Sequence, residues 1–79
     1  MATKVHLLIE TKAGKVKEVA KAIGGLAGVI SVDAVTGPYD AIATIEGETV
    51  NDIGELVTSQ IHPINGISRT VMCVVVTSS

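Results

Sequence analysis

VTGPYDAIATIE, residues 35–46, joins the end of one apolar strand to a second through Gly37-Pro38, an aromatic residue and a carboxylate. Glycine tolerates backbone angles that other residues resist. Pro38 fixes its own φ and pushes Gly37 out of the helical region, so the stretch predicts a tight reversal. The two strands it joins then pair as a hairpin. Everything before the turn reads as strand, helix, strand, and everything after it reads the same way.

In the first half, Thr3 to Glu10 (TKVHLLIE) is short and rich in β-branched and aliphatic residues, which predicts strand one. Val5, Leu7 and Ile9 face one way; His6, Leu8 and Glu10 face the other. From Lys15 to about Leu26, the residues Val16, Val19, Ala20, Ile23 and Leu26 recur at the three-and-four spacing of an amphipathic helix, and Gly24-Gly25 weaken its last turn. Gly28 releases strand two, Val29 to Thr36, with Ile30, Val32 and Ala34 as inward candidates.

In the second half, Tyr39 to Glu46 is strand three, apolar on both sides and therefore central. Thr49 is placed as an N-cap, with Asp52 three residues on, and Val50, Ile53, Leu56, Val57 and Gln60 or Ile61 form the helical stripe. Pro63 stops that helix. Asn65-Gly66 leads into strand four, Ile67 to Val76, whose run Val71 to Val76 is apolar without alternation and asks for cover on both faces.

The halves echo each other. Ile9-Glu10 corresponds to Ile45-Glu46 at an offset of 36, and Gly28-Val29 to Gly66-Ile67 at an offset of 38. A repeated strand-helix-strand unit joined by a hairpin is the α+β, ferredoxin-like βαββαβ plan. Right-handed crossovers put both helices on one side of a four-stranded antiparallel sheet, leaving the other side bare. With Val71, Cys73 and Val75 facing the helices, Leu8, Met72, Val74 and Val76 are expected on the bare side, and a dimer packed sheet to sheet follows.

Composition agrees with association. The 79 residues form one domain, 1–79, and 47% of them are apolar against 18% charged. Lacking Trp and Phe and with a single Tyr, the core must be aliphatic, and so small a globule hides little hydrocarbon alone. Six Lys and Arg against eight Asp and Glu give a formal net charge of −2 and no field to attract a polyanion, so no direct nucleic-acid partner is expected. No apolar run reaches the ~20 residues that span a bilayer, MATKVHLL lacks the layout of a signal peptide, and one cysteine makes no intrachain disulfide. These features predict a cytoplasmic protein with no membrane partner.

V-T-G-x-Y-D at the hairpin, a helix of the form V-x-x-I-x-x-L-V, and G-I-x-R-T leading into an apolar last strand together resemble the RAM domain. That domain is the effector-binding and oligomerisation half of Lrp/AsnC-type transcription regulators. The likeness covers essentially the whole chain, but the family's N-terminal helix-turn-helix is missing, so the chain looks like a stand-alone RAM protein without a DNA-binding domain. The resemblance implies a non-enzymatic module of transcription regulation or amino-acid metabolism, with no cofactor. It also implies dimers assembled into higher rings, often octamers, and co-assembly with full-length Lrp/AsnC regulators.

Small effectors, typically amino acids, bind in that family between dimers near the hairpin turn. Carried over residue by residue, the site is Thr36, Gly37, Tyr39 and Asp40 at the turn, with Thr70 and Met72 on the facing strand of a neighbour. The chemistry suits a zwitterion: a tight turn presents amide donors to a carboxylate, and Asp40 accepts from an ammonium group. Two positions depart from the pattern. Pro38 stands where many relatives offer an N–H, and Met72 where a second threonine is frequent, which removes a donor and makes the pocket less polar.

Other features read as structural. Asp40 is also a frequent residue type for capping its own turn. His6 and His62 are 56 positions apart with no ligand spacing between them, Cys73 in an apolar strand reads as an inert buried thiol, and Gly24-Gly25 with Gly28 lacks the ending of a phosphate loop. Lys12, Lys15, Lys17 and Lys21 are interrupted by Glu18 and read as a solvated helix face. Two alternatives to the RAM reading share the topology. One is a small dimeric monooxygenase-type enzyme, which needs His, aromatic or Asn side chains converging between helices and sheet; the other is an ACT-type regulatory module.

Overall fold

The computed structural model describes residues 2–77. In chain order the elements are β1 (Thr3–Thr11), α1 (Val16–Gly24), β2 (Val29–Ala34), β3 (Ala41–Gly47), α2 (Val50–Leu56) continuing into a π-helical turn (Val57–Ile61), and β4 (Ile67–Val74). The sheet order is β2-β3-β1-β4 and every neighbouring pair is antiparallel. This is the ferredoxin-like βαββαβ fold, with β3 central as its two apolar faces required.

One aliphatic cluster holds it together. Val5, Leu7 and Ile9 of β1 and Ala41, Ala43 and Ile45 of β3 meet Val19 and Ile23 of α1 and Ile53, Val57 and Ile61 of the second helix, all buried. Small alanines on β3 let the helices approach the sheet where β1 supplies the bulk. Ile53, Val57 and Ile61 recur every four residues, so in a regular α-helix each step would overshoot a turn by roughly 40°. The π-helical turn, in which the His62 amide reaches back to the Val57 carbonyl at 2.8 Å, underwinds the chain and keeps all three on the core. Thr49 caps α2 as expected, its Oγ1 accepting from the Asp52 amide at 3.1 Å. Val50, placed on the buried stripe by periodicity, is instead exposed at the first turn.

The repeat seen in the sequence is present in the backbone. Gly28 accepts from the Glu46 amide at 2.9 Å just as Gly66 accepts from the Lys12 amide at 2.7 Å, each glycine closing the strand that pairs with the one it precedes. Both have φ near +100°, a region open to glycine, and at Gly66 a Cβ would lie 2.9 Å from the Lys15 Cβ. Each half also carries a β-bulge at the same place. Val29 opposes Ile45 and Ser31 opposes Thr44, so Ile30 is the extra residue; Thr11 opposes Ile67 and Glu10 opposes Arg69, so Ser68 is the extra residue.

These bulges correct the facing expected from alternation. Ile30, expected inward, is 55% exposed, while Val29 and Val32 pack on the core. In β4 the bulge at Ser68 shifts the phase of everything after it. Thr70, Met72 and Val74 lie opposite Ile9, Leu7 and Val5 on the helix side, and Val71 and Cys73 lie opposite Leu8 and His6 on the bare face. Met72 and Val74 were expected on the bare face and are not there; they stay 36% and 41% exposed at the sheet edge. Val76 lies beyond the end of β4 and so is not on its bare face either. Cys73, read as a buried thiol, is exposed. The bare face thus carries the half-buried Leu8, Ile42 and Val71, with Cys73 exposed beside them.

Candidate functional site at the hairpin end of the sheet

The loop between β2 and β3 spans residues 35–40, wider than the tight reversal expected, and its base is closed by the Val35 amide donating to the Asp40 carbonyl at 2.9 Å. Asp40 bridges its two neighbours: while its carbonyl takes the Val35 amide, its own amide donates to the Ile9 carbonyl at 2.8 Å and its Oδ2 accepts from the Thr11 amide at 2.8 Å. Thr11 is the residue at which the β1–β4 register shifts, so its amide lacks a regular ladder partner and the carboxylate supplies one.

Gly37 holds φ +140°, and a Cβ built on it would meet nothing within 4 Å, so glycine is required here by backbone conformation and the space around it is open. Among the described residues, the amides of Thr36, Gly37 and Tyr39 donate to no other backbone group. The loop thus offers backbone donors at an accessible rim, beside the half-buried Asp40 carboxylate.

Next to the loop, the ends of β1 and β4 carry a charged cluster. Arg69 Nε lies 3.4 Å from Glu10 Oε2, its Nη2 donates to Tyr39 Oη at 3.4 Å, and its guanidinium sits 5.9 Å from the centre of the Tyr39 ring. On the helix side of the same end, His62 Nε2 and Thr70 Oγ1 are 3.0 Å apart.

Of the residues assigned to the site from sequence, Thr36, Gly37, Tyr39 and Asp40 come together in one loop. Thr70 is at the same end of the sheet but on the far side of β1, because Ile9 pairs with Ala41 on one side and with Thr70 on the other. Two strand spacings put it about 10 Å away. Met72 is further along β4 and lines a groove with Val50, Asn51, Gly54, Glu55 and Thr58 of the second helix. Within one chain neither Thr70 nor Met72 touches the loop.

Sequence reasoning missed Glu10, Thr11, His62 and Arg69. Arg69 stands inside the G-I-x-R-T motif, but without the bulge at Ser68 its side chain would be assigned to the helix side, away from Glu10. The interior between helices and sheet, where an enzymatic reading would look, contains no buried polar or charged side chain among the described residues. No helix among them is long and apolar enough to cross a membrane.

Comparison with known proteins gives a consistent picture. A family model described as the Lrp/AsnC ligand binding domain matches residues 4–78. An uncharacterised helix-turn-helix-type transcriptional regulator of Pyrococcus furiosus is 31% identical over 58 residues, which are 73% of this chain and 39% of that protein. The chain thus spans about two fifths of the length of the curated relatives it matches. Among solved structures, a Thermus thermophilus protein superposes with a TM-score of 0.91 at 28% identity, covering 98% of this chain and 96% of that one. A Neisseria meningitidis transcriptional regulator, solved as a complex with L-Met, superposes with a TM-score of 0.83 at 18% identity over 95% of this chain and 50% of that one. At that identity the likeness is one of fold.

Proposed function

The chain belongs to the Lrp/AsnC ligand-binding domain family, a family of transcription regulators, and on that premise we propose that it binds an amino acid at the hairpin end of its sheet and acts without catalysis. The observation that carries this reading is the loop 35–40. Gly37 at φ +140° has open space around it, the Thr36, Gly37 and Tyr39 amides have no backbone partner, and an acidic side chain beside them is held by the Thr11 amide. A zwitterion needs donors for its carboxylate and an acceptor for its ammonium group, and this end of the sheet offers both within a few residues. The L-Met complex of the Neisseria regulator supports an amino acid as the effector class.

The module works as an assembly in the cytoplasm. Copies dimerise through the bare face, over Leu8, Ile42 and Val71, and dimers join into a higher oligomer, an octamer in the form the family pattern suggests. Shared assembly surfaces let it co-assemble with full-length regulators, through which it affects transcription without contacting DNA itself. Thr70 and Met72, which lie away from the loop in their own chain, would meet a neighbour's loop in such an assembly.

The test is a thermal-shift panel of the twenty standard amino acids on wild type and on Gly37→Val. An effector present at a hundredfold excess over its Kd stabilises by about 2.7 kcal/mol, a shift readily seen. One or a few amino acids should raise melting in wild type and none in Gly37→Val, since a β-branched residue cannot hold that φ without rebuilding the loop. A flat panel for wild type, or equal shifts in both proteins, would refute the proposal.

A further inference from the structure

His6 sits inside the face that the dimer covers. On β1, an inner strand, it lies directly opposite Thr44 of β3 on one side and Cys73 of β4 on the other, two residues from Leu8. In a single chain it is exposed, with Nδ1 3.1 Å from Thr44 Oγ1. A stable interface covers roughly 800 Å² of each partner, a patch roughly 16 Å in radius, whereas two residues along a strand span only about 7 Å. A second copy that covers Leu8, Ile42 and Val71 therefore covers His6 as well. The charged groups on that face are Lys4 and Glu46, opposite each other one row away; Asp33 on the edge strand β2, opposite Ile42; and Glu10 with Arg69, next to Asp40 at the hairpin end. Lys4, two residues from His6 along β1, disfavours a second positive charge. Glu46 and Glu10 each lie opposite a cation and Asp40 holds the Thr11 amide, so no carboxylate of this face is reserved for His6. A second copy brings the same set of groups.

We propose that His6 makes the bare-face dimer a pH-sensitive contact: two copies associate with the imidazole neutral, and its protonation drives them apart. Histidine changes charge between about pH 8 and pH 5. Thr44 serves one ring nitrogen, but an imidazolium has two N–H groups to satisfy, and burial penalises its charge. The dimer thus binds fewer protons than the separated chains, so it is strongest above that range and weakens as pH falls through it. Each dimer buries two copies of His6, so its dissociation constant can rise by up to about a hundredfold per pH unit where the response is steepest. The switch rests on the bare-face dimer proposed above, and adds to it the condition that opens it.

The test is a dilution series in the analytical ultracentrifuge at pH 7.5 and pH 5.5, at one ionic strength, for wild type, His6→Asn and His6→Leu. Asparagine keeps a polar atom within reach of Thr44 and leucine keeps none, so the two variants do not share one way of failing to fold. Circular dichroism at both pH values separates dissociation from unfolding. For wild type, the protomer concentration at half-dissociation should rise tenfold or more from pH 7.5 to pH 5.5 and return on readjustment. In both variants it should change by less than about twofold, a window in which the carboxylates stay ionised. His62, on the helix side, is present in all three proteins, so a pH response retained by the variants would overturn the role of His6. Val71→Lys at pH 7.5 reports on the dimer reading itself. If it dissociates while wild type shows no pH response, the switch is wrong and the bare-face dimer stands; if it assembles like wild type, the dimer reading fails and the switch fails with it.

Discussion

Replacing Asp40 by alanine should destabilise the fold by about 1.5–2 kcal/mol even with no effector present. The carboxylate accepts from the Thr11 amide at 2.8 Å, in a half-buried setting. A hydrogen bond to a charged group contributes roughly 1.5–3 kcal/mol net, and partial exposure places this one in the lower half of that range. Removing the acceptor strands the Thr11 amide at the β1–β4 register shift, where the ladder offers no substitute. For a domain of this size each kcal/mol moves Tm by roughly 4–8 °C, so the alanine variant should melt roughly 6–16 °C lower. Asp40→Asn keeps an acceptor oxygen at the same reach but without the charge, and should lose about 0.5–1 kcal/mol. Urea denaturation of all three proteins at one protomer concentration is the measurement, because association makes apparent stability depend on concentration. The midpoint should move and the slope should not. An alanine variant within about 0.5 kcal/mol of wild type, or an asparagine variant as unstable as alanine, would mean that the carboxylate does not hold the loop onto β1.

The corrected facing of β4 makes a second test of assembly. Val71→Lys puts a charge on the bare face and should drop the mass in light scattering toward the 8.1 kDa monomer, whereas Met72→Lys, on the helix side, should leave the dimer intact; the reverse result would restore the uncorrected facing. Gly66→Ala combines φ +107° with a Cβ 2.9 Å from Lys15 and 3.1 Å from Val19, and should cost about 2–4 kcal/mol in urea unfolding. Gly37→Ala, strained but unobstructed, should cost about 1–2 kcal/mol, and equal losses at the two positions would show that crowding at Gly66 is relieved at no cost. With a net charge of −2, the protein alone should retain no DNA sequence preferentially, and any weak retention should disappear between roughly 50 and 200 mM salt. A salt-resistant, sequence-selective shift would contradict that expectation.

The element order, the repeat, the helix cap and the core were legible because each rests on a periodicity or on a residue type with one job. Val5, Leu7 and Ile9 alternate, Val19 and Ile23 are four apart, and Thr49 precedes Asp52 by three. What escaped was phase and depth of pairing. A run such as Val71 to Val76 reads the same in either register, so only its partner strand can say which side chains face the helices, and the partner's statement includes a bulge at Ser68. That one extra residue turned Met72 and Val74 away from the bare face, exposed Cys73, and brought Arg69 beside Glu10. Half of the candidate site was therefore visible in the hairpin, whose residues are contiguous. The other half, contributed by two other strand ends, depended on a register no local pattern encodes. The wide loop escaped for a similar reason, since Gly37-Pro38 announces a reversal but not its width, and the bond between Asp40 and the Thr11 amide, 29 positions away, has no local signal.

The internal repeat explains why the candidate site has no counterpart at the other end of the sheet. Ile23, Leu26, Gly28 and Ile30 recur 38 positions on as Ile61, Ile64, Gly66 and Ser68, with the same chain of backbone bonds: the Leu26 amide to the Ile23 carbonyl and the Ile64 amide to the Ile61 carbonyl, then Val29 to Leu26 and Ile67 to Ile64. The relation that exchanges β1 with β3 and β2 with β4 maps the loop 35–40 onto the opposite end, where β1 begins at Thr3 and β4 finishes at Val74. That end is lined by Thr3, Lys4, Glu46, Val74 and Val75, and no loop of the described chain joins its two strands. Covalent closure is thus the feature that separates the two ends. It holds Gly37 at a φ only glycine adopts readily, leaves the Thr36, Gly37 and Tyr39 amides without a backbone partner, and lets Asp40 reach β1 from a base closed by the Val35 amide. A repeat of two equal halves supplies two similar strand ends, and the hairpin that links the halves closes one of them with the Val35–Asp40 backbone bond and ties it to β1 through Asp40 and the Thr11 amide.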